Sequence, residues 1–335
     1  MRNNWFGFIM VLLSFNALAT VAYNDFSSVS GLKLNGGAAV VSTTDGQVLR
    51  LTKAARDQAG SAFSLATVNA GNFSTYFTFR ITSPGGTIFD CNTEAGADGL
   101  VFVVQPVDSS LGGLGQGIGY DGIPRSIGVE FDTWCNAANK DPNSNHIGIV
   151  TNGSVVHADT SSTLVVTPNF DNGSVWHVWI DYNASVLEVR ANQTGVRPAS
   201  AMLSKTMDIP TLLTGTSTTQ VTNAYIGFTS GTGADWGNHD ILTWIYREDY
   251  QPIDASNCLL NWAEDNYPSL FAPSRPTSQT YGNYILRTYS QSGTYLALSS
   301  DPNGRVYYYK PAAGNNALLD LGLISTWKTQ AGCSQ

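Results

Sequence analysis

The chain has 335 residues and a formal net charge of −8 at pH 7, a length that allows one large domain and one small one. Only 13% of its residues are charged, against about 25% in typical soluble domains, and Gly, Ser, Thr and Asn are plentiful. This composition is typical of an exported β-protein. The acidic balance and the lack of a basic cluster argue against nucleic acid as a partner.

Residues 1–22 have the pattern of a secretory signal peptide. Arg2 precedes the apolar run Trp5–Leu13, and Ala17 and Ala19 follow as the small residues of a cleavage site. The apolar run is too short to span a bilayer, and no other long apolar run follows it. We therefore expect a secreted protein without a transmembrane segment, located outside the cell, in a periplasm or at the cell surface. Cleavage after Ala19 and cleavage after Ala22 fit the pattern equally well.

Residues 23–247 are predicted to form an all-β domain. Short segments alternate apolar and polar residues, and Asn-Gly and Asp-Gly turns separate them. Residues 176–191 predict a hairpin that turns near Asn183, and no long amphipathic helix is evident. The pattern favours an antiparallel β-sandwich. Strands are predicted at residues 38–43, 47–52, 73–83, 100–106, 126–134, 146–151, 175–191, 224–230 and 241–246.

The remaining chain is predicted to hold a linker, residues 248–257, and a small α+β module, residues 258–335. The module is expected to begin with a short helix that ends near Pro268 and to finish with a helix over residues 317–333. Between them, three strands are predicted at 284–289, 294–300 and 305–311.

Four cysteines are present, and export permits disulfide bonds between them: Cys91, Cys135, Cys258 and Cys333. Four cysteines allow three connectivities. We favour Cys91–Cys135 together with Cys258–Cys333, because each bond then closes within one proposed domain.

The stretch Val129–Gly148 is predicted to bind metal. Glu130 and Asp132 lie two apart in a strand and therefore share a face. Converging carboxylates repel one another unless a cation lies between them. Asp, Asn and carbonyl oxygens suit calcium, whereas Glu, Asp and a neutral imidazole suit a transition ion such as manganese. The candidate ligands are Glu130, Asp132, Trp134, Asn136, Asp141 and His146.

Four segments in this order resemble the legume-type (L-type) lectin family: Gly96–Phe102, Gly112–Gly122, Val129–Gly148 and Thr232–Trp244. Residues 24–28 and 48–52 also look like the first strands of that family. The resemblance spans about residues 23–246, implies a concanavalin-like jelly roll, and is nearer to bacterial members than to seed lectins. The C-terminal segment resembles a small module found on secreted bacterial proteins.

The resemblance assigns the metal ligands. Calcium is expected to be held by Asp132, the Trp134 carbonyl, Asn136 and Asp141. The transition ion, manganese or another divalent metal, is expected to be held by Glu130, Asp132, Asp141 and His146. Val156 stands where plant members carry a polar residue.

The resemblance also assigns a sugar site. Asp98, which follows a cis peptide bond in the family, would accept hydrogen bonds from two hydroxyl groups. The Asn136 amide would donate to the sugar, and the Trp134 ring would cover its apolar face. A backbone N–H of Gly115 or Gly117 would complete the set, together with the last loop at Ala234 and Asp235.

The predicted function is therefore a secreted, metal-dependent, carbohydrate-binding protein that is not an enzyme. Its partners are expected to be glycans of a cell surface or a polysaccharide, and a homo-oligomer is compatible with the sequence. One alternative is a β-glucan hydrolase of similar fold, which needs two carboxylates flanking the scissile bond. Such enzymes typically show an E-x-D-x-x-E strand, whereas Cys135 stands at the second Glu position. The other alternative is a structural surface adhesin that no longer binds sugar.

Overall fold

A computed structural model of the chain describes residues 20–86, 95–110, 117–250 and 252–253 and, further on, 279–281, 284–289, 294–299, 304–312 and 315–331. Within these ranges the strands form three sheets, and every strand pair is antiparallel. No helix in the described ranges is long and apolar enough to cross a membrane.

The strands of the larger part are, in chain order, β1 (Thr20–Tyr23), β2 (Leu32–Gly36), β3 (Ala39–Thr43), β4 (Gly46–Thr52), β5 (Ala59–Ser64), β6 (Val68–Asn69), β7 (Phe73–Gly85), β8 (Gly99–Gln105), β9 (Ile127–Asp132), β10 (His146–Thr151), β11 (Thr163–Val165), β12 (Trp176–Tyr182), β13 (Val186–Asn192), β14 (Leu203–Thr206), β15 (Asn223–Gly231) and β16 (Trp236–Arg247). One short α-helix, α1 (Ile209–Thr214), precedes β15, and single 3-10 turns lie at Ala137–Asn139 and Thr160–Ser162.

These strands form two eight-stranded sheets. The site sheet, named for the residues that it carries, has the order β11-β10-β9-β8-β15-β5-β2, with β6 paired to β15. The back sheet has the order β14-β13-β12-β7-β16-β4-β3, with β1 paired to β16. The predicted all-β fold, an antiparallel β-sandwich, is confirmed.

The core lies between the two sheets and is rich in aromatic rings. Phe77 of β7, Phe228 of β15 and Trp244 of β16 are fully buried. The Phe77 and Phe228 ring centroids are 4.9 Å apart, as are those of Phe228 and Trp244, and both pairs are edge-to-face. Aromatic pairs in this geometry add about 0.5–1.5 kcal/mol each beyond the area that they bury. The core therefore fixes how the site sheet sits on the back sheet.

Several predicted strands match closely, including β10 over residues 146–151 and the hairpin β12–β13, which turns over residues 183–185. The pattern missed β1, most of which lies within the predicted signal peptide, and also β2, β5, β6, β11 and β14. β5, with the sequence AGSAFS, is buried along most of its length, and its small residues give no apolar alternation. Residues 24–27, read as part of a first strand, are bends that follow β1.

The C-terminal part forms a third sheet, β17 (Gln279–Tyr281), β18 (Tyr284–Tyr289), β19 (Thr294–Ser299), β20 (Arg305–Ala312) and β21 (Asn315–Leu323), followed by helix α2 (Ile324–Ala331). The predicted closing helix was wrong in its first half, because residues 315–323 pair with β20 and tertiary pairing overrides helix propensity there. The predicted helix before Pro268 lies outside the described residues.

Candidate functional site

Strand β9 places the two candidate carboxylates. Ile127, Val129 and Phe131 point into the core, so the alternation of the strand puts Glu130 and Asp132 on the opposite face of the site sheet. β9 lies between β8 and β10, where Glu130 faces Gly148 and Asp132 faces His146. The two carboxylates therefore share one face of the sheet, as predicted.

Four of the candidate ligands meet in one buried cluster. The Glu130 side chain is 1% exposed, and the Nε2 atom of the fully buried His146 lies 3.6 Å from Glu130 Oε1 and 3.8 Å from Asp141 Oδ1. Ligand atoms of Asp132, Asp141 and His146 all lie within 4.8 Å of one another. His146 Nδ1 lies 3.0 Å from the carbonyl oxygen of Asn143, so Nδ1 carries a proton and the Nε2 atom faces the carboxylates.

The loop after β9 is folded around the same carboxylates. The Trp134 N–H donates to Asp132 Oδ1 at 2.6 Å, and the Asn136 N–H donates to Asp141 Oδ2 at 2.6 Å. A 3-10 turn at Ala137–Asn139 follows, and Lys140 ends it with φ 64°. Trp134 and Asn136 are partly buried residues, and the Oδ1 atom of Asn136 is itself buried. The backbone of the loop thus ties the two candidate sugar contacts to the acidic cluster.

Cys135 lies in this loop and is disulfide-bonded. The structure describes none of the other three cysteines, so the pairings Cys91–Cys135 and Cys258–Cys333 stay predictions.

His157 also enters the cluster, although sequence reasoning gave it no role. Its Nε2 atom lies 3.1 Å from Glu130 Oε1, 3.2 Å from Asp141 Oδ1 and 3.2 Å from His146 Nε2. The signal that could have found it is its rarity, since the chain has only four histidines and this one follows His146 by 11 positions. The family resemblance drew attention to the neighbouring position, Val156, and not to His157.

The electrostatics of the cluster call for a positive charge. Burial, and after it the charges of Asp141 and Glu130, raise the pKa of Asp132 well above its ordinary value. Burial by itself lowers the pKa of His157, but the hydrogen bond with Asp141 and the charges of Glu130 and Asp141 outweigh it and raise that pKa. Carboxylate and imidazole donors converging in a buried site are a donor set that fits a divalent cation.

Asp98 lies next to the cluster, just before β8. The Ala97–Asp98 peptide bond is cis, as the resemblance predicts. The Asp98 N–H donates to Gly231 O at 3.2 Å, and Asp98 O accepts from the Thr133 N–H at 3.1 Å. Its side chain is buried, with the residue 4% exposed, and Oδ2 has no hydrogen-bond partner among the described residues. Burial raises the pKa of Asp98 to about 7, the charge of Asp235 adds to the rise, and the Gly233 N–H opposes it.

The last loop, residues 232–235, lies beside Asp98. Ala234 is partly exposed, whereas Asp235 is buried against Gly86, where an added Cβ would lie 1.9 Å from Asp235 Cγ. Gly117 is buried, and Gly115 lies outside the described residues. The proposed roles of these four positions in sugar binding stay predictions.

Two residues of β16 brace this edge of the sheet. Asp240 accepts two hydrogen bonds from Arg50, both 2.7 Å long. His239 Nδ1 lies 2.7 Å from Thr52 Oγ1, which contacts Ser230 Oγ at 3.0 Å, and that hydroxyl donates to Gly99 O at 2.7 Å. Burial, and then the charge of Arg50, lower the pKa of His239 to about 3, so the brace contains a neutral imidazole. Through Ser230, this hydrogen-bonded chain holds Gly99, the residue that follows Asp98.

An antiparallel sandwich that carries an acidic, histidine-containing loop beside a cis Ala-Asp bond defines a lectin-type β-sandwich. A family model described as the legume lectin domain matches residues 19–259. The chain belongs to the legume lectin domain family.

Plant relatives are similar to this chain at moderate identity. Favin from Vicia faba is 33% identical over 227 residues, which cover 61% of this chain and 85% of Favin. The L-type lectin-domain containing receptor kinase VIII.1 of Arabidopsis thaliana is 28% identical over 332 residues, which cover 89% of this chain and 44% of the kinase. The receptor kinase VIII.2 is 27% identical and is covered over 25% of its length. This chain therefore spans less than half of these two receptor kinases.

Solved lectin structures share the fold. The winged bean acidic lectin complexed with methyl-α-D-galactose superposes with a TM-score of 0.55 at 25% identity, covering 68% of this chain and 97% of that lectin. The basic winged bean lectin with Tn-antigen gives a TM-score of 0.54 at 25% identity and the same coverage. The bacterial character and the nature of the C-terminal module stay predictions.

Proposed function

We propose that this protein is a secreted, metal-dependent lectin with one shallow sugar site in its sandwich domain. The observation that carries the proposal is the position of Asp98, whose backbone is hydrogen-bonded to Thr133 and Gly231 beside the buried acidic cluster. The membership of the chain in the legume lectin domain family and its similarity to a lectin complexed with a galactoside support it.

Two ions are proposed to be held by overlapping ligand sets. Calcium would take Asp132, the Trp134 carbonyl, Asn136 and Asp141, which are oxygen donors of the kind that calcium prefers. A transition ion would take Glu130, Asp132, Asp141 and His146, a set with the imidazole that such ions favour. When bound, the ions neutralise carboxylates that otherwise repel one another.

The sugar would be bound by residues next to these ions. Asp98 would accept hydrogen bonds from two hydroxyl groups, and Asn136 would donate its amide hydrogens to another. The partly exposed Trp134 ring would cover the apolar face of the sugar. Such a site is shallow and wet, so we expect a single-site Kd in the millimolar to micromolar range, about −4 to −8 kcal/mol. Binding to cells or polysaccharides would then depend on several copies, for which a homo-oligomer would suffice.

Glycan binding is expected to require metal and two named side chains. Asp98→Asn should weaken binding by at least about 100-fold, because it replaces an acceptor of two hydrogen bonds. Asn136→Asp should retain calcium and lose the glycan, since it keeps the oxygen ligand and removes the sugar's donor. A glycan array with and without EDTA, followed by isothermal titration against the best ligand, measures both effects.

Asp208→Asn is the matched control for these variants. Asp208 is an exposed residue that caps α1 through the Thr211 N–H, and Asn caps a helix equally well. Metal-loaded protein that binds no glycan would contradict the proposal. Release of reducing sugar from a β-glucan, lost in Glu130→Gln, would support the hydrolase alternative instead.

The mature chain is expected to begin at Thr20. β1 pairs with β16 from Thr20 to Tyr23, so cleavage after Ala22 would remove three of its four residues, whereas cleavage after Ala19 leaves the strand whole. Intact-mass measurement and N-terminal sequencing of the exported protein test this. A mature chain that begins at Tyr23 would show that β1 is not part of the secreted fold.

A further inference from the structure

His157 lies where an additional metal ligand would lie. Two ligand atoms that are each about 2.1 Å from one ion are separated by about 3.0 Å at an octahedral angle and by about 3.4 Å at a tetrahedral angle. The distances from His157 Nε2 to Glu130 Oε1, Asp141 Oδ1 and His146 Nε2 are 3.1, 3.2 and 3.2 Å. These three distances lie within the range expected for neighbouring ligand atoms of one ion. His146 Nε2 lies 3.6 Å from Glu130 Oε1 and 3.8 Å from Asp141 Oδ1, so these two pairs would close by a few tenths of an ångström around an ion.

The approach of the two imidazoles supports the same interpretation. His146 Nδ1 donates to the Asn143 carbonyl oxygen, which turns its Nε2 atom towards the cluster. His157 Nε2 lies against this nitrogen and against two carboxylate oxygens at once. One imidazole proton can satisfy one of these three contacts, whereas a cation between the four atoms interacts with all of them.

The chain holds His157 firmly in this position. Its N–H donates to the Asn139 carbonyl at 3.0 Å, which ties it to the loop that follows β9. Its side chain is 2% exposed, whereas the preceding Val156 is 44% exposed. Gly148 provides the space, because a Cβ there would lie 2.7 Å from His157 Cε1. The packing thus admits an imidazole to the cluster without a hydrogen-bond partner for Nδ1 among the described residues.

We propose that His157 binds the transition ion directly, so that the site contains two imidazoles and shifts in preference from manganese towards zinc, cobalt or nickel. This inference rests on the proposed two-metal loop. Each exchange of an oxygen ligand for an imidazole favours later divalent ions, whose affinity for nitrogen ligands rises from manganese through cobalt and nickel. His157 would occupy a position that water could otherwise fill.

The number of imidazoles on the ion tests the proposal. Metal-free full-length protein is loaded with Ca²⁺ and one equivalent of Cu²⁺, and pulsed electron paramagnetic resonance counts the bound histidine nitrogens. Two imidazoles are expected in the wild type and in the control His177→Gln, which alters a histidine hydrogen-bonded to Tyr76. One is expected in His157→Gln. A merely structural role for His157 would leave the count at one in every protein.

Metal competition gives the second readout. Equilibrium dialysis against equal Mn²⁺ and Zn²⁺, followed by elemental analysis, gives the Zn²⁺/Mn²⁺ affinity ratio. We expect this ratio to fall at least about 10-fold in His157→Gln, with recovery in His157→Ala when imidazole is added. Unchanged ratios and a single imidazole in the wild type would overturn the inference. If Ca²⁺-dependent glycan binding persists in that case, the proposed lectin function stands. Calcium binding measured on each variant excludes loss of the fold as the cause.

Discussion

Removing divalent cations with EDTA is expected to lower the thermal midpoint by on the order of 10 °C at pH 8 and by much less at pH 5. A cation present at about 1,000 times its Kd stabilises the folded state by about 4 kcal/mol. For a domain of this size each kcal/mol corresponds to about 2–4 °C. Melting followed by tryptophan fluorescence, in calcium and in EDTA, measures the shift at each pH.

The pH dependence follows from the metal-free carboxylates. Burial raises the pKa of Asp98 to about 7 and also raises the pKa of Asp132. A raised folded-state pKa contributes stability that is present below the unfolded-state value, about 3.9, and is lost as pH rises through the folded-state value. Between pH 5 and pH 7 Asp98 alone therefore costs the metal-free protein about 1.4 kcal/mol per pH unit. The raised pKa of His157 acts in the same direction.

Metal binding has the opposite dependence, because its ligands must lose their protons before they bind. The difference between the melting curves in calcium and in EDTA therefore reports the contribution of the metal site alone. The pKa of the buried His239 is lowered and that of Asp181 is raised, but neither residue is a proposed metal ligand. In Asp98→Asn the pH dependence of the EDTA curve should become shallower. An EDTA effect of equal size at pH 5 and pH 8 would show that these carboxylates are not near the cation.

The strands that carry the site were predictable from local pattern. β9 and β10 alternate apolar residues with Glu130, Asp132 and His146, and the alternation alone puts these three side chains on one face. The metal-binding character of the loop between them was predictable from its residue types, since Asn136 and Asp141 offer oxygen ligands for a cation. The legume lectin resemblance added Asp98, which pattern alone would have read as a turn residue.

Contacts between distant segments were not predictable in this way. His157 follows β10 in an irregular segment, and only the packing of that segment on Asn139 brings its ring to Glu130. Asp235 lies buried against Gly86, a contact that the spacing of the two residues along the chain does not reveal. β21 reads as a helix until its pairing with β20 is known. In each case the position of the residue depends on a contact with a distant segment of the chain. The local pattern of apolar and polar residues does not contain this information.

Gly148→Ala is expected to weaken transition-metal binding strongly while leaving the sandwich folded. Gly148 faces Glu130 across the β9–β10 pair, and a Cβ at this position would lie 2.1 Å from Glu130 Oε1 and 2.7 Å from His157 Cε1. Glu130 is buried, and the added Cβ would overlap its carboxylate, so the carboxylate must leave its position beside His146 and His157. We expect the affinity for the transition ion to fall at least about 100-fold, in line with the loss of one ligand and the displacement of another.

Calcium binding should change less than about 10-fold in the same variant, because its proposed ligands do not include Glu130 or His157. Gly37→Ala is the matched control, since the nearest atom to its added Cβ is Ala59 O at 3.3 Å, a contact that small shifts relieve. Elemental analysis after dialysis gives the content of both ions, and the thermal midpoint in EDTA reports the fold without metal. The backbone of β10 is extended at Gly148, so an alanine there introduces no strain of its own and any loss of metal is due to the contact with Glu130 and His157. A variant that binds the transition ion as tightly as the wild type would show that the Glu130 carboxylate does not occupy this position when the metal is bound.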